Sequence, residues 1–174
     1  MTEHSKWTTV DEVNDAIDAY GNALIKLKAM QSRADSLLPK GSINVGTIGE
    51  YYAFIWLKHQ FPDALVTYGN ATEKSWDIVV TLNNEKTLYQ VKTVSLNSKS
   101  LRISRLQKGF DKLIVIVLGE DYFPEDAYLL DCDFVFTGIQ TFSVPNRGQN
   151  GSSIFVSNGT QINFDLFDSI AERF

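Results

Sequence analysis

The sequence of 174 residues contains one cysteine and two histidines. With Cys132 alone, no disulfide can form within the chain, which fits a reducing compartment. His4 and His59 with one cysteine make a zinc site improbable, and a serine hydrolase triad would depend on His59 alone. The sequence also lacks a glycine-rich phosphate loop of the Walker or dinucleotide type. These absences leave hard oxygen ligands as the chemistry to examine.

Long hydrophobic runs are missing as well. No stretch approaches the roughly 18 consecutive apolar residues of a membrane span, and the first residues lack the apolar run of a secretory signal. We therefore expect a cytoplasmic protein with no membrane partner. The length and a hydrophobic content of 44% predict a single compact domain with a substantial core.

Positive charge is scarce overall but unevenly distributed. The formal net charge is −5, yet the segment from Lys86 to Lys112 holds seven lysines or arginines against the single acid Asp111, so it carries +6 and the remainder carries −11. Such segregation predicts a basic face on an otherwise acidic body, and a nucleic-acid partner becomes tenable. The alternative is a solvated helix that happens to be basic.

The first predicted helix begins at Thr9, where Thr9 and Glu12 fit a capping box, and apolar residues recur at helical spacing to about Leu38. We assign residues 1–43 to an N-terminal helical extension and residues 44–174 to the main domain. The long helix could pack on the sheet or form the contact of a homodimer, and the sequence leaves both open.

The second predicted helix runs from Gly46 to the break at Phe61-Pro62-Asp63 and is apolar on most sides. Small residues such as Gly49 allow it to pack closely against another element. Glu50 is the only carboxylate between Lys40 and Asp63. An acid on a mostly apolar helix is costly unless it is paired, hydrogen-bonded or bound to a metal. It could also point to water near the helix start, where negative charge is favoured.

A β-hairpin is predicted next, with strands over residues 78–82 and 87–94 and Asn83-Asn84 as the turn. Asparagine tolerates the left-handed backbone that a two-residue turn requires. Counting outward from Leu82 opposite Glu85 places Asp77 opposite Gln90. Because strand side chains alternate, Gln90 shares one face with Lys92. An acid, an amide and a lysine are therefore expected to converge.

The chain then changes character. Ile103, Leu106 and Phe110 have helical spacing and predict a short helix between Ser100 and Phe110, although alternation at Leu101 and Ile103 also allows strand. Residues 112–118, KLIVIVL, are typical of a strand buried on both faces. Residues 64–68 predict a further short strand before the hairpin. The element order is thus helix, three strands, helix, strand, an α/β arrangement whose last two strands would be parallel.

These residues could hold a magnesium ion. The carboxylates of Glu50 and Asp77, the amide oxygen of Gln90 and the carbonyl of Val91 are hard oxygen ligands, and they leave room for water and a phosphate. The metal would polarise the phosphate and lower the pKa of a bound water. Lys92 could orient that water or neutralise developing charge. The alternatives are that Asp77 caps a strand, that Gln90 only makes a structural hydrogen bond, and that Lys92 is an exposed strand lysine.

The combination of a Gly49-Glu50 helix, Asp77, twelve intervening residues and Gln90-Val91-Lys92 resembles the PD-(D/E)XK nuclease superfamily, and within it the Mrr-like branch. The resemblance spans about residues 44–118. It implies a restriction-endonuclease-like αβββαβ core with a mixed central sheet flanked by helices. It also implies that Asp77 is a metal ligand, that Gln90 replaces the more common glutamate, and that Lys92 is the catalytic lysine. Glu50 matches the acid often supplied by the first helix.

The sequence therefore predicts an endonuclease on DNA that requires Mg²⁺, with Mn²⁺ as a substitute, and the resemblance adds a role in restriction or defence. The residues expected to contact DNA phosphates are Lys99, Arg102, Arg105 and Lys108. Two alternatives stay open. One is a nuclease-fold protein that binds DNA or protein without cleaving, and the other is an immunity-type partner whose acidic surface masks a basic enzyme.

Overall fold

The structure is a computed structural model that describes residues 10–70, 75–98, 101–104, 106–135, 141–144 and 159–162. The chain divides into two compact units, Met1–Ser36 and Leu37–Phe174. None of the helices in these described ranges is long and apolar enough to cross a membrane.

The first unit contains helix α1, Val10–Gln31. It ends earlier than the apolar pattern predicts. The Ser32 hydroxyl donates to the Ala29 carbonyl at 2.8 Å, and Arg33 N–H donates to Met30 O at 3.2 Å, which tightens the last turn. Serine competes with the helical backbone for hydrogen bonds in this way, so the helix stops there. The predicted cap depends on Thr9, which lies outside the described residues.

The second unit opens with helix α2, Val45–Gln60. Its N-cap is Asn44, whose side-chain oxygen accepts from Thr47 N–H at 3.1 Å, while the Thr47 hydroxyl accepts from Asn44 N–H at 3.3 Å. This reciprocal cap satisfies two backbone donors at the helix start and fixes where the helix begins. The prediction of a well-buried helix is confirmed, since Ala53 and Leu57 are fully buried.

The second unit is a mixed α/β structure. After α2 its elements are β1 Leu65–Tyr68, β2 Ile78–Leu82, β3 Glu85–Ser95, β4 Arg102–Ser104, β5 Lys112–Leu118, β6 Pro124–Asp131, α3 Cys132–Val135, β7 Thr141–Ser143 and β8 Thr160–Gln161. Among the described residues, six strands form a mostly antiparallel sheet in the order β1-β2-β3-β5-β6-β8, in which β3 and β5 are the one parallel pair. A second sheet pairs β4 with β7.

The hairpin of β2 and β3 is confirmed. Leu82 pairs with Glu85, and the turn residues Asn83 and Asn84 have φ values of 52° and 67°. Positive φ at both positions is the geometry of a type I′ turn, which matches the twist of the flanking strands. The register predicted from the turn therefore holds along the hairpin as far as Ile78.

Strand β5 is buried on both faces, as its apolar run predicts. Ile114, Ile116 and Leu118 belong to the hydrophobic cluster under α2, which also contains residues of β1, β2 and β3. The alternate residues of β5 point to a second cluster on the opposite face of the sheet. The two clusters share β5 as their central strand.

The predicted helix between Ser100 and Phe110 is wrong for the described part of that segment. Residues 102–104 form strand β4, which pairs with β7, and Ile103 lies opposite Phe142. Ile103 and Phe110 are buried as the spacing suggested, but in the second cluster and without a helix. Gly109 has φ of +121°, which a helix does not allow. The described residues of the β3–β5 connection therefore contain no helix, and they cover the face of the sheet opposite α2.

Candidate active site

Asp77 lies immediately before β2 and is held by the backbone of β3. Its carboxylate accepts from Val91 N–H at 2.7 Å, and its own N–H donates to Tyr89 O at 2.8 Å. The regular ladder ends at Ile78, which pairs with Tyr89. The sequence placed Asp77 opposite Gln90 by continuing that ladder one residue further, whereas Asp77 N–H bonds to Tyr89 O and its carboxylate accepts from Val91 N–H.

Gln90 is buried, and its side chain is directed at Asp77. The Gln90 Nε2 group donates to Asp77 Oδ2 and to the Val91 carbonyl, the latter at 3.3 Å. The structure thus brings Gln90 to Asp77 as expected, but through the amide nitrogen. A metal would need the amide oxygen in that direction, which a rotation of the amide about its last bond would provide. With the amide nitrogen towards the carboxylate, Gln90 supports Asp77.

Glu50 projects from the first turns of α2 into the neighbourhood of Asp77 and Lys92. The pKa of Glu50 is raised to about 7, chiefly by burial and further by the negative charge of Asp77, while the positive charge of Lys92 opposes the rise. Burial is also the first cause that raises the pKa of Asp77, against hydrogen bonds from Val91 and Gln90 and the charge of Lys92. Burial therefore disfavours the charged form of both acids.

Lys92 is partly exposed on β3, and its positive charge lowers the pKa of both Glu50 and Asp77. Within the described part of the chain, no hydrogen bond or ion pair commits its ammonium group to another residue. A lysine with free donors beside two carboxylates can bind an anionic oxygen. The residue types that the hairpin pattern predicted to converge do so.

Tyr68 is a neighbour of the site that the sequence did not reveal. Its hydroxyl donates to Leu37 O at 2.8 Å, and its ring stacks on Phe54 with centroids 4.3 Å apart. Burial is the main cause that raises the pKa of Tyr68, and the nearby Glu50 and Tyr51 add to it. A tyrosine at the end of a short strand gives no sequence signal of this proximity, because β1 reaches α2 only through the tertiary fold.

The basic residues predicted to contact DNA are only partly described. Arg102 on β4 and Lys108 after it are exposed. Lys99 and Arg105 lie outside the described residues. The exposed positions are compatible with phosphate contacts, and their role stays a prediction.

The donor set suits a hard divalent cation. Mg²⁺ is usually bound by one or two carboxylates together with water and substrate phosphates. Burial raises the pKa of both Glu50 and Asp77, and a bound cation would favour their ionised forms. The described residues contain no group of three or more His, Cys, Asp or Glu side chains suited to a metal. Glu50 and Asp77 would therefore be the charged ligands, with the Val91 carbonyl beside them.

Comparison with known proteins yields little. No family model and no curated protein matches the sequence. One similar solved structure is a bacterial homing endonuclease, I-Ssp6803I, with 15% sequence identity and a TM-score of 0.45. The likeness covers 77% of this chain and 94% of that chain. It is too weak to carry an argument about this protein, so the function has to be argued from the site.

Proposed function

We propose that this protein is a metal-dependent endonuclease that hydrolyses phosphodiester bonds in DNA. The observation that supports the proposal is the cluster of Glu50, Asp77 and Lys92, three groups from α2, the start of β2 and β3 that share one electrostatic environment. Two carboxylates beside a lysine with free donors are the groups that phosphodiester hydrolysis needs. They bind a hard cation and neutralise charge on a phosphate.

Each side chain has a role that follows from its surroundings. Glu50 and Asp77 would hold a magnesium ion, which when bound supplies Lewis acidity and a water of lowered pKa. The hydrogen bond from Val91 N–H keeps one Asp77 oxygen fixed. Gln90 would orient Asp77 or, with its amide rotated, present its oxygen to the ion.

Lys92 would act on the substrate. Its ammonium group is partly exposed and lies near both acids. It could orient the attacking water or bind the non-bridging oxygen on which negative charge accumulates as the phosphorane forms. Its own positive charge also favours the ionised form of Glu50, which metal binding requires.

DNA is the proposed substrate because of the basic segment from Lys86 to Lys112, which includes Gln90 and Lys92. The exposed Arg102 and Lys108, together with Lys99 and Arg105, would contact backbone phosphates, which position a duplex without reading its sequence. A role in restriction or defence is part of this proposal and rests on the family resemblance.

The proposal is tested by incubating the purified full chain with supercoiled plasmid and duplex oligonucleotides, each with Mg²⁺, Mn²⁺ or EDTA. We expect metal-dependent nicking or cleavage that is lost in Asp77→Ala and Lys92→Ala. Modified DNA belongs in the substrate set. If wild type and both variants behaved alike on every substrate, the enzyme assignment would be abandoned.

A second candidate is a nuclease-fold protein that binds DNA without cleaving it. The observation that favours it is the amide of Gln90, which donates to Asp77 where a nuclease commonly has a further carboxylate. Lys92→Ala separates the two candidates. A nuclease loses cleavage and keeps most of its DNA affinity, whereas a binding module shows no cleavage in either form.

A further inference from the structure

The closest approach between α2 and the sheet occurs at Gly49 and Thr93. A Cβ atom added to Gly49 would lie 1.9 Å from Thr93 Oγ1, 2.8 Å from its Cγ2 and 2.9 Å from its Cβ. Real Cβ atoms do not approach other heavy atoms so closely, so no side chain fits here unless the helix or the strand moves. The threonine side chain occupies the space that the glycine leaves.

The Thr93 hydroxyl is unusual in a second respect. Its oxygen is buried, and it has no hydrogen-bond partner among the residues that the structure describes. A buried hydroxyl without a partner is unfavourable. Valine would avoid the polar group, serine would avoid the bulk of the methyl group, and alanine would avoid both. The side chain instead occupies the place that a Cβ of Gly49 would take, so its shape limits how near the helix can come.

This contact lies next to the proposed site on both sides. Gly49 precedes Glu50 on α2, and Thr93 follows Lys92 on β3. Thr93 also shares its strand with Val91, which binds Asp77. The backbone separation at Gly49 and Thr93 therefore determines how far the Glu50 carboxylate lies from the two residues it must act with.

We propose that Gly49 and Thr93 are positioning residues that fix the distance from the Glu50 carboxylate to Asp77 and Lys92. The inference rests on the proposed function, since it concerns the ability of Glu50 and Asp77 to share one divalent cation. A methyl group at residue 49 would push α2 away from β3 and carry Glu50 with it. The two acids would then bind the cation through fewer of their oxygens.

The competing explanation is that the contact only stabilises the packing of α2. A control for it is Ile55→Val, which removes a methylene from the buried core under the same helix without touching the site. The rescue variant combines Gly49→Ala with Thr93→Gly. It adds a methyl group on the helix and removes the side chain on the strand that this methyl group would meet. Each variant is first checked for folding by circular dichroism and thermal melting.

The decisive measurement is Mn²⁺ affinity of the full chain without DNA, by isothermal titration calorimetry. We expect Gly49→Ala to weaken Mn²⁺ binding by about tenfold or more, as losses of supporting residues around metal sites do. The double variant should recover most of that loss. Ile55→Val should melt at a lower temperature and bind Mn²⁺ like the wild type.

The outcomes separate the two hypotheses. If the wild type binds Mn²⁺ and Gly49→Ala binds it equally well while melting earlier, the contact is structural and the inference is overturned. A folded double variant that fails to recover affinity also overturns it. If the wild type neither binds Mn²⁺ nor cleaves DNA, both the proposed function and the inference fall.

Thr93→Ala covers the case in which Gly49→Ala does not fold, because it removes bulk instead of adding it. We expect the helix to lose its spacer and Mn²⁺ affinity to fall by about threefold or more, a smaller loss than for an added methyl group. Wild-type affinity in a folded Thr93→Ala protein would count against the positioning role.

Discussion

The backbone N–H of Val91 donates a hydrogen bond to the carboxylate of Asp77 at 2.7 Å. Val91 stands between Gln90 and Lys92 on β3, so this bond joins the acid at the start of β2 to the strand that carries the other side chains. Val91 is buried, and its N–H would lack a partner if the carboxylate were removed. Asp77 therefore has a structural role and a proposed catalytic role, which substitutions can separate.

Replacing Asp77 with Asn should separate the structural role from the catalytic role. The Asn side-chain oxygen can still accept from Val91 N–H, so the fold should persist while cleavage falls by at least about 100-fold, because the metal loses a charged ligand. Asp77→Ala should lose cleavage equally and also cost roughly 1–3 kcal/mol of unfolding free energy, since buried donors lose their acceptor. Plasmid cleavage and urea unfolding measure the two effects. Equal stability of the Asn and Ala variants would contradict the structural role of Asp77.

Glu50 should make stability depend on pH. Its pKa is raised by burial from 4.5 to about 7, so the stability that protonated Glu50 contributes is present below 4.5 and is lost as pH rises through about 7. In EDTA, Glu50→Gln should therefore match the wild type at low pH. Above about pH 7 it should melt some 2–4 °C higher, a figure discounted for partial solvent exposure.

The matched control for that experiment is Glu85→Gln, because Glu85 is an exposed carboxylate at the start of β3. The difference between its melting temperature and that of the wild type measures the effect of losing a surface charge, and it should be smaller than the difference for Glu50→Gln above about pH 7. A difference between Glu50→Gln and wild type that stays constant from acid to alkaline pH would mean that Glu50 is not a buried acid.

Lys92→Ala should abolish catalysis while leaving binding. Loss of the ammonium group removes a donor to the charge that develops on the phosphate, and we expect cleavage to fall on the order of 10² to 10³. DNA affinity measured with Ca²⁺ in place of Mg²⁺ should change little. Lys86→Ala, an exposed lysine on the same strand, serves as the control and should cleave normally. Equal losses in both variants would indicate a general charge effect.

Gln90→Glu tests the part that the amide plays. The new carboxylate would face Asp77 from a buried position, 4% exposed, and would replace a hydrogen bond with repulsion. We expect the melting temperature of the variant in EDTA at about pH 8 to lie several degrees below that of the wild type. Added Mg²⁺ should raise the melting temperature of the variant more than that of the wild type. Gln60→Glu, at an exposed position on α2, should show neither effect. Insensitivity of Gln90→Glu to Mg²⁺ would argue against a cation at this place.

Arg102→Ala should reduce the salt dependence of DNA binding. Each phosphate contact releases counterions, so loss of one should lower the slope of log affinity against log salt by about 1. Arg33→Ala is the control, because Arg33 is exposed and pairs with Asp35 at 3.7 Å outside the basic segment. An unchanged slope in Arg102→Ala would assign that residue to ordinary surface.

Local patterns predicted the elements that depend on local causes. The Asn83-Asn84 turn fixes the hairpin register because both residues adopt positive φ, and this requirement is visible in the residue types. The uninterrupted apolar run of β5 likewise required burial on both faces. In these cases the information lies within a few residues.

The error at β4 has the opposite origin. The spacing of Ile103 and Phe110 correctly indicated burial, but burial at that spacing does not specify a helix. The strand forms because Ile103 pairs with Phe142, a partner far along the chain. A Cβ at Gly109 would also lie 2.9 Å from the Ser75 Cβ, a contact that no local window contains. Non-local pairing overrode the local periodicity.

For the candidate site, the sequence by itself determined which groups meet, because strand alternation and the hairpin turn bring Asp77, Gln90 and Lys92 to one place. Only the tertiary structure decided how they meet. The hydrogen bonds of Asp77 to Tyr89 and Val91, the orientation of the Gln90 amide and the close packing at Gly49 depend on contacts between segments that are distant in the chain. The pKa of Glu50 follows from that packing as well, because burial is a property of the assembled fold and not of any residue in it.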